Sequence, residues 1–260
     1  MMRFCSLGSG STGNALVVEA GSGASISRVL VDCGFSLKEL ESRLARAGLN
    51  AADLDAVFVT HEHGDHIGCA LALARRHGLP LWMSRGSWHA LGEPALPDGL
   101  LRFARDGEPI AVGELQLWPY TVPHDALEPL QLRCTDGQRR LGVLTDVGSC
   151  TAHLLAQLQR CDALLLECNH DRELLAMSSY PASLKARVGG PFGHLANDSA
   201  ALILEGCRHS GLRHVVAAHL SERNNTPALA TAALAGVLGT TARDILVADP
   251  TLGLDWLTLG

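Results

Sequence analysis

One stretch decides the fold of the chain: Val57-Phe58-Val59-Thr60-His61-Glu62-His63-Gly64-Asp65-His66. The apolar run at its start predicts a buried strand, and the apolar residues 67–74 that follow predict a buried helix. A strand that feeds a turn and then a helix places the turn at the carboxyl edge of a sheet, where open α/β folds bind their ligands. Glycine at position 64 should let the backbone turn tightly between the polar residues.

The polar part of this stretch has the composition of a metal site. Three histidines and one aspartate fall within the six residues from His61 to His66. Neutral imidazole and carboxylate groups are suitable ligands for zinc, manganese and iron. A lone histidine after a strand is more often a surface or helix-capping residue. Four donors at this spacing favour a metal site instead.

Length and composition set the scale of the protein. The 260 residues are close to the upper limit for one hydrophobic core, and we predict a single domain over residues 1–260. Hydrophobic residues make up 47% of the chain, which is enough for a sizeable core. The formal net charge of −6 argues against a dominant basic surface for nucleic acid, although it leaves room for a local basic patch.

The cysteines and the chain start predict a cytoplasmic protein. None of the eight cysteines forms a C-x-x-C pair, so neither a zinc ribbon nor a redox motif is indicated. Cys69, Cys161 and Cys168 sit inside apolar runs, which is typical of buried free thiols in a reducing compartment. The sequence begins without a basic-then-apolar leader and has no apolar stretch of roughly 20 residues, so we expect neither a signal peptide nor a membrane partner.

The order of apolar runs and turn signals predicts two mixed sheets packed face to face with helices outside. The predicted strands cover residues 3–7, 14–20, 26–32, 55–60, 80–83, 114–122, 129–135, 139–144, 162–168, 214–219, 245–248 and 252–257. The predicted helices cover residues 36–46, 67–74, 84–91, 152–160, 197–209 and 227–238. The Gly/Ser loop at 8–13 lacks the Lys-Ser/Thr of a P-loop and precedes a strand, so a tight hairpin bordering the active edge is the favoured interpretation.

Further candidate ligands follow later apolar strands. His124 comes just after the strand ending at Val122, Asp146 follows the next hairpin arm, and His219 ends another apolar run. Any one of these histidines taken alone is more often a core or surface residue than a ligand. Because all three residues follow a strand, we expect them to lie at the same sheet edge as His61.

The series His61-x-His63-x-Asp65-His66, His124, Asp146 and His219 resembles the ordered motifs of dinuclear metallo-β-lactamase-fold hydrolases across nearly the whole chain. The resemblance implies an α/β fold, classed as α+β in some schemes, built as a four-layer αββα sandwich that holds two divalent metal ions. The metals implied are zinc or manganese, with iron as a further alternative. One metal would bind His61, His63 and His124, the other Asp65, His66 and His219, and Asp146 would bridge the two.

The second half of the chain resembles one branch of this superfamily, the YycJ/WalJ-type branch. The segments that carry the resemblance are Glu167-Cys168-Asn169-His170-Asp171, Gly193-His194-Leu195-Ala196-Asn197 and His219-Leu220-Ser221-Glu222-Arg223-Asn224-Asn225, together with the opening Gly8-Ser9-Gly10-Ser11-Thr12-Gly13-Asn14. Ala196 departs from the usual serine of the branch, and we expect Asn197 to cap the helix there instead. The interval between Asp146 and His219 is too short for the large inserted domain of RNase J-type enzymes.

This branch implies hydrolysis of a phosphodiester by a metal-bound hydroxide, most simply by a nuclease that acts as an exonuclease on DNA or RNA. The resemblance implies that Asp65 holds its metal and orients the hydroxide. It implies that His194 contacts the phosphate and protonates the leaving oxygen. For each of His170, Lys185 and Arg187, a substrate contact and an ordinary structural role are both open alternatives.

Other functions stay open at this point. A small-molecule or cyclic-nucleotide phosphodiesterase is favoured by the acidic net charge and the compact chain. A glyoxalase II-like thioester hydrolase shares the metal motif, and a metal-holding binding protein is the non-enzymatic alternative. The expected partner is nucleic acid or a small phosphodiester. The sequence does not decide the metal, DNA against RNA, the polarity of digestion or the oligomeric state, for which a homodimer is one alternative.

Overall fold

The computed structural model describes all 260 residues, and its strands fall into two groups along the chain. The strands are β1 Met2–Gly8, β2 Ala15–Ser22, β3 Ser25–Val31, β4 Ala56–Phe58, β5 Leu81–Met83, β6 Leu101–Phe103, β7 Ile110–Val112, β8 Leu115–Thr121, β9 Leu130–Thr135, β10 Arg140–Leu144, β11 Ala163–Glu167, β12 His214–Ala218, β13 Leu246–Val247 and β14 Leu254–Thr258.

Helices connect most of the strands that run parallel to one another. They are α1 Leu37–Arg46, α2 Gly64–Ile67, α3 Ala70–His77, α4 Arg85–Ala90, α5 Ala152–Leu158, α6 Arg172–Met177, α7 Ala182–Val188, α8 Asn197–Cys207 and α9 Pro227–Leu238. Helix α1 begins where the sequence predicts, because Ser36 accepts a hydrogen bond from the Glu39 amide as its N-cap. Every helix is too short or too polar to cross a membrane.

The strands form two seven-stranded mixed sheets of similar design. The first has the order β14-β1-β2-β3-β4-β5-β6, and the second has the order β13-β12-β11-β10-β9-β8-β7. In the first sheet the pairs from β3 to β6 are parallel, and in the second the pairs from β10 to β13 are parallel. The prediction of two mixed sheets is confirmed.

The hydrophobic core has three layers that account for a four-layer sandwich. Phe4, Phe58 and Leu132 belong to the layer between the two sheets, where all three are fully buried. A second layer lies between the first sheet and helices α1 and α3, and a third lies between the second sheet and helices α5, α8 and α9. Each sheet is therefore apolar on both faces, which explains the nearly continuous apolar runs in its parallel strands.

The start predicted for the helix over residues 67–74 is wrong. Asp65 and His66 already lie in the short helix α2, and the chain then breaks at Gly68 before α3 begins at Ala70. Gly68 has a φ of 26°, and a β-carbon there would lie 2.3 Å from the Cys33 carbonyl oxygen. The tight backbone position that the sequence assigned to Gly64 is therefore at Gly68.

Several short elements escaped the sequence patterns. Strands β6 and β7 have three residues each, too few to show an alternating pattern. Helices α6 and α7 were also not predicted, and both precede His194 in the chain. Helix α8 does begin at Asn197, but its N-cap is Ala196 and no side chain caps it. The Asn197 side chain exchanges two hydrogen bonds of 2.9 Å with Asn225 instead, so the expected capping role is wrong.

Candidate metal centre

The candidate site lies at one edge of the sandwich, where strands of both sheets end. His61 follows β4 in the first sheet, while Asp146 and His219 follow β10 and β12 in the second. His124 follows β8, which is antiparallel to β9, as β9 is to β10, so β8 and β10 end at the same edge. The sheet topology thus explains how donors distant in sequence meet.

Two groups of three donors lie side by side. The first group is His61, His63 and His124, and the second is Asp65, His66 and His219; within each, the donor atoms lie within 4.8 Å of one another. In the first group His63 Nδ1 and His124 Nε2 are 3.3 Å apart. In the second, Asp65 Oδ2 lies 3.4 Å from His219 Nε2 and 3.6 Å from His66 Nε2.

Asp146 lies between the two groups. Its Oδ2 is 2.8 Å from His66 Nε2 in the second group, and its Oδ1 is 3.9 Å from His124 Nε2 in the first. Oδ1 is also 3.3 Å from His219 Nδ1. The sequence-predicted donors are thus all brought together, and a carboxylate reaches both groups.

The residues present fit metal ions on two observations. His61 Nε2 is buried without a hydrogen-bond partner, as expected for an atom that binds a cation. Four carboxylates, Asp32, Asp65, Asp146 and Glu167, lie at the site, and none is paired with a lysine or arginine. Buried carboxylates require a compensating charge, and here only histidines or bound cations can supply it.

The pKa values of the histidines divide the cluster in two. Burial, reinforced by the neighbouring His66, holds the pKa of His61 well below its usual range, and burial also lowers the pKa of His124. Burial acts in the same direction on His66, but Asp146 and Asp32 outweigh it and hold its pKa well above the usual range. Burial is similarly outweighed at His219, where Asp146 and Asp65 raise the pKa to about 9. His61 and His124 are therefore neutral donors in the metal-free protein, whereas His66 and His219 are protonated.

Each donor ring is oriented by a second hydrogen bond at its other nitrogen. His66 Nδ1 donates to Asp32 Oδ2 at 2.8 Å, and His61 Nδ1 lies 3.0 Å from Thr60 Oγ1. His124 Nδ1 donates to the Gly193 carbonyl at 2.9 Å. These partners fix which nitrogen of each ring faces the site, the usual arrangement around metal-binding histidines.

Two residues of the site hold strained backbone conformations. Asp32 has a φ of 63° and His219 a φ of 53°, values that non-glycine residues rarely adopt. Asp32 accepts hydrogen bonds from both the amide and the hydroxyl of Thr60. The His219 amide donates to Ser9 Oγ at 2.9 Å. Strain of this kind persists where the surroundings determine the geometry, as they do here.

The Gly/Ser loop at 8–13 borders the site, as the sequence predicts. Ser9 of the loop contacts His219, and Asn14, which directly follows the loop, places its Nδ2 3.2 Å from His66 Nε2. Asn14 also accepts hydrogen bonds from Ser9 Oγ and the Gly10 amide, which close the loop. The loop therefore supports the second group of donors and is not arranged as a phosphate cradle.

His194 lies beside the two groups and is paired with a buried carboxylate. His194 Nδ1 is 2.7 Å from Glu167 Oε1 and 3.2 Å from Asp146 Oδ1. Burial would lower the pKa of His194, but Glu167 and Asp146 hold it well above its usual range. Glu167 is itself fully buried and accepts hydrogen bonds from the Val147 and Leu195 amides. The ring is thus fixed through Nδ1, and Nε2 makes no hydrogen bond within the protein.

Comparison with known proteins matches this chain and its fold to one superfamily. Residues 27–220 match the family model described as a β-lactamase superfamily domain. The chain belongs to the β-lactamase superfamily.

Individual members of the superfamily are similar over most of the chain. The exodeoxyribonuclease YycJ of Bacillus anthracis is 34% identical over 239 residues, which cover 91% of this chain and 89% of the relative. The exodeoxyribonuclease WalJ of Streptococcus pneumoniae is 31% identical over 232 residues, 88% of this chain and 85% of the relative. The crystal structure of the metallo-β-lactamase-fold protein YhfI from Bacillus subtilis aligns over 98% of both chains with a TM-score of 0.73 at 18% identity. The expected superfamily, branch and four-layer fold are confirmed.

Three supporting residues of this superfamily site were missed at the sequence level. Asp32, Thr60 and Glu167 were given no role, although Asp32 and Glu167 each stand at the end of an apolar strand, as His61 does. That position was a usable signal. A carboxylate after a strand is also an ordinary turn residue, so the pattern marks it less clearly than a histidine.

Other candidate residues lie outside the two groups. Lys185 donates to the Ala176 carbonyl, and Arg187 Nε pairs with Asp125 Oδ2 at 2.5 Å. His170 is buried, its side chain makes no hydrogen bond, and its Nδ1 has no partner. The other five histidines of the chain make contacts outside the cluster; they are His77, His89, His153, His209 and His214.

Replacing Asp32 by asparagine should weaken metal binding about 10- to 100-fold, the usual effect of losing a carboxylate that orients a metal-binding histidine. Asparagine tolerates the φ of 63° at this position, so the change removes the charge without adding backbone strain. Competition with a chromophoric chelator measures the affinity. Glu93→Gln, which neutralises the exposed partner of His89, is the matched control and should bind like the wild type. Equal affinities of D32N and wild type would contradict the assigned support.

Metal binding should release protons and should tighten as the pH rises from about 6 to about 9. The pKa of His219 is raised to about 9, so its ring is protonated at neutral pH in the metal-free protein and a cation at Nε2 must displace that proton. Titration calorimetry in two buffers with different ionisation enthalpies gives the number of protons released. A binding heat that is the same in both buffers would show that no proton is displaced.

Proposed function

We propose that the protein is a dinuclear metal-dependent phosphodiester hydrolase that degrades nucleic acid from an end. The observation that carries this proposal is the position of His194, a histidine held by buried Glu167 within 3.2 Å of Asp146, the carboxylate between the two groups of donors. The two similar exodeoxyribonucleases support the nuclease assignment.

The proposed ligands are those that the sequence named. His61, His63 and His124 would hold one ion, Asp65, His66 and His219 would hold the second, and Asp146 would contact both. Imidazole with carboxylate suits zinc, manganese or iron, and metal availability decides among them. Two such ions, when bound, supply positive charge for the phosphate and make water a better nucleophile near neutral pH.

Asp65 is the proposed acceptor for the attacking water. Its side chain is about a quarter exposed, whereas the other three carboxylates of the site are buried. A water in the cleft can therefore reach Asp65 more readily than it can reach Asp32 or Glu167. The hydrogen bond that Asp65 accepts from His219 orients the carboxylate and, with His66, lowers its pKa despite burial. It is therefore ionised at neutral pH and able to accept a proton.

His194 is the proposed acid for the leaving oxygen. The raised pKa keeps a proton on the ring at neutral pH, and Glu167 fixes that ring through Nδ1 so that Nε2 remains free to face substrate. An alkoxide leaving group, as in nucleic acid, needs such a proton, whereas a thiolate departs without one. This histidine therefore favours phosphodiester cleavage over thioester hydrolysis.

The function is tested by following single- and double-stranded DNA and RNA labelled at either end, with manganese or zinc present. Stepwise shortening from one end is expected, and Asp65→Ala should abolish it because the variant loses both a ligand and the proton acceptor. Hydrolysis of a small diester without cleavage of any strand would instead establish a small-molecule phosphodiesterase. Release of thiol from a thioester alone would overturn the phosphodiester assignment.

His194→Ala should retain metal and lose about 10²- to 10⁴-fold in kcat on an oligonucleotide, the usual contribution of a general acid. The loss should be much smaller on a methyl p-nitrophenyl phosphate diester, because p-nitrophenolate leaves without protonation. Metal content and the two kcat values together test the role. An equal loss on both substrates would show that His194 acts in some way other than protonating the leaving group.

A further inference from the structure

Phe192 is the one aromatic residue of the chain that is largely exposed. Its relative exposure is 60%, whereas every other phenylalanine, tyrosine and tryptophan is buried or half-buried. Single exposed apolar residues are common on proteins. This one stands two residues before His194, in the segment Gly189-Gly190-Pro191-Phe192-Gly193. Its location is what makes it informative.

The segment 189–193 is fixed against the candidate metal centre. The Gly193 carbonyl accepts the hydrogen bond from His124 Nδ1 at 2.9 Å, and the Pro191 carbonyl accepts one from Ser149 Oγ at 3.1 Å. A β-carbon at Gly148 would lie only 2.5 Å from the Phe192 Cα, so the two backbones are in close contact. Gly148 follows the central Asp146 by two residues. The position of Phe192 is therefore tied to the metal ligands from both sides.

A shallow cavity of about 210 Å³ lies beside the exposed residue. Phe192, Gly193 and Arg187 line it together with Asp125, the neighbour of His124 in the chain. The Arg187 side chain is itself exposed and carries positive charge to this mouth of the site, partly offset by its pairing with Asp125. An apolar ring beside a cation suits a nucleotide, whose base is flat and apolar and whose phosphate is anionic.

We propose that Phe192 stacks on the nucleobase at the end of the strand, next to the phosphodiester that is cut. The proposal rests on the proposed nuclease function and specifies its substrate. Base–aromatic stacking tolerates any sequence, because every base has a flat face. The base at the end of a strand has one free face, whether or not it is paired, so it is the base that can meet the ring.

Single-stranded oligodeoxynucleotides that carry one tetrahydrofuran abasic residue at successive positions from the end test this inference. With the wild type, one position near the cleaved bond should raise KM about 5- to 100-fold, as expected for losing one stacked base. Phe192→Ala should raise KM on the intact strand by a similar factor and should be insensitive to the abasic residue at that position. The two losses would then fail to add, which identifies direct contact between the ring and that base.

Phe192→Tyr keeps the ring and should restore the wild-type KM and the abasic effect. Leu202→Ala, which truncates another exposed apolar side chain on α8, is the matched control and should leave both unchanged. Additive losses or an unchanged KM in F192A would each overturn the stacking role while leaving the nuclease function intact. A wild type that cuts no oligonucleotide would overturn both.

Discussion

Four carboxylates meet at one edge of this sandwich without a lysine or arginine to neutralise them, and the remainder of the site is arranged around that deficit of positive charge. In the metal-free protein, protons on His66, His219 and His194 supply the compensation. A bound cation can replace a ring proton only where the nitrogen that carries the proton points towards the other donor atoms of its group. The hydrogen bonds at the opposite ring nitrogens therefore determine which nitrogen can exchange its proton for a metal ion. Metal binding would accordingly be coupled to proton release.

The sheet topology makes this concentration of charge possible. The first sheet combines β1 to β6 with the C-terminal β14, the second contains β7 to β13, and the parallel strands of both end at the same edge. Asp32 and His219 come from different sheets, and both hold positive φ angles there. Each strained residue is held by a neighbour, Asp32 by Thr60 and His219 by Ser9. The extensive apolar layers on both faces of each sheet stabilise a fold that can accommodate such local costs.

Much of the fold and most of the donors could be predicted because they obey one rule, a polar residue directly after an apolar strand. His61, His124 and His219 follow it, and the pattern is informative because three histidines share that position. Asp32 and Glu167 follow the same rule, yet a carboxylate at a strand end is an ordinary turn residue, and their roles depend on the histidines they meet in three dimensions. The unpredicted α6 and α7 are only six and seven residues long, and helical periodicity is weak over that length. Helix α6 buries only Leu175 and α7 buries no residue, so neither has the apolar stripe from which a helix is predicted.

The poorly predicted region is also the one that would distinguish substrates. Metal ions held by these donor groups would act on the reacting centre and contact little else, so the same groups could serve ester, thioester or phosphodiester hydrolysis. Selection would then fall to side chains around the site, and the three proposed here, His194, Arg187 and Phe192, all lie within or next to the segment from α7 to α8. Loops carried by a rigid scaffold are the usual location of such residues. Here the Gly193 carbonyl binds His124 directly, so any change of substrate preference in this segment has to preserve its contact with the metal ligands.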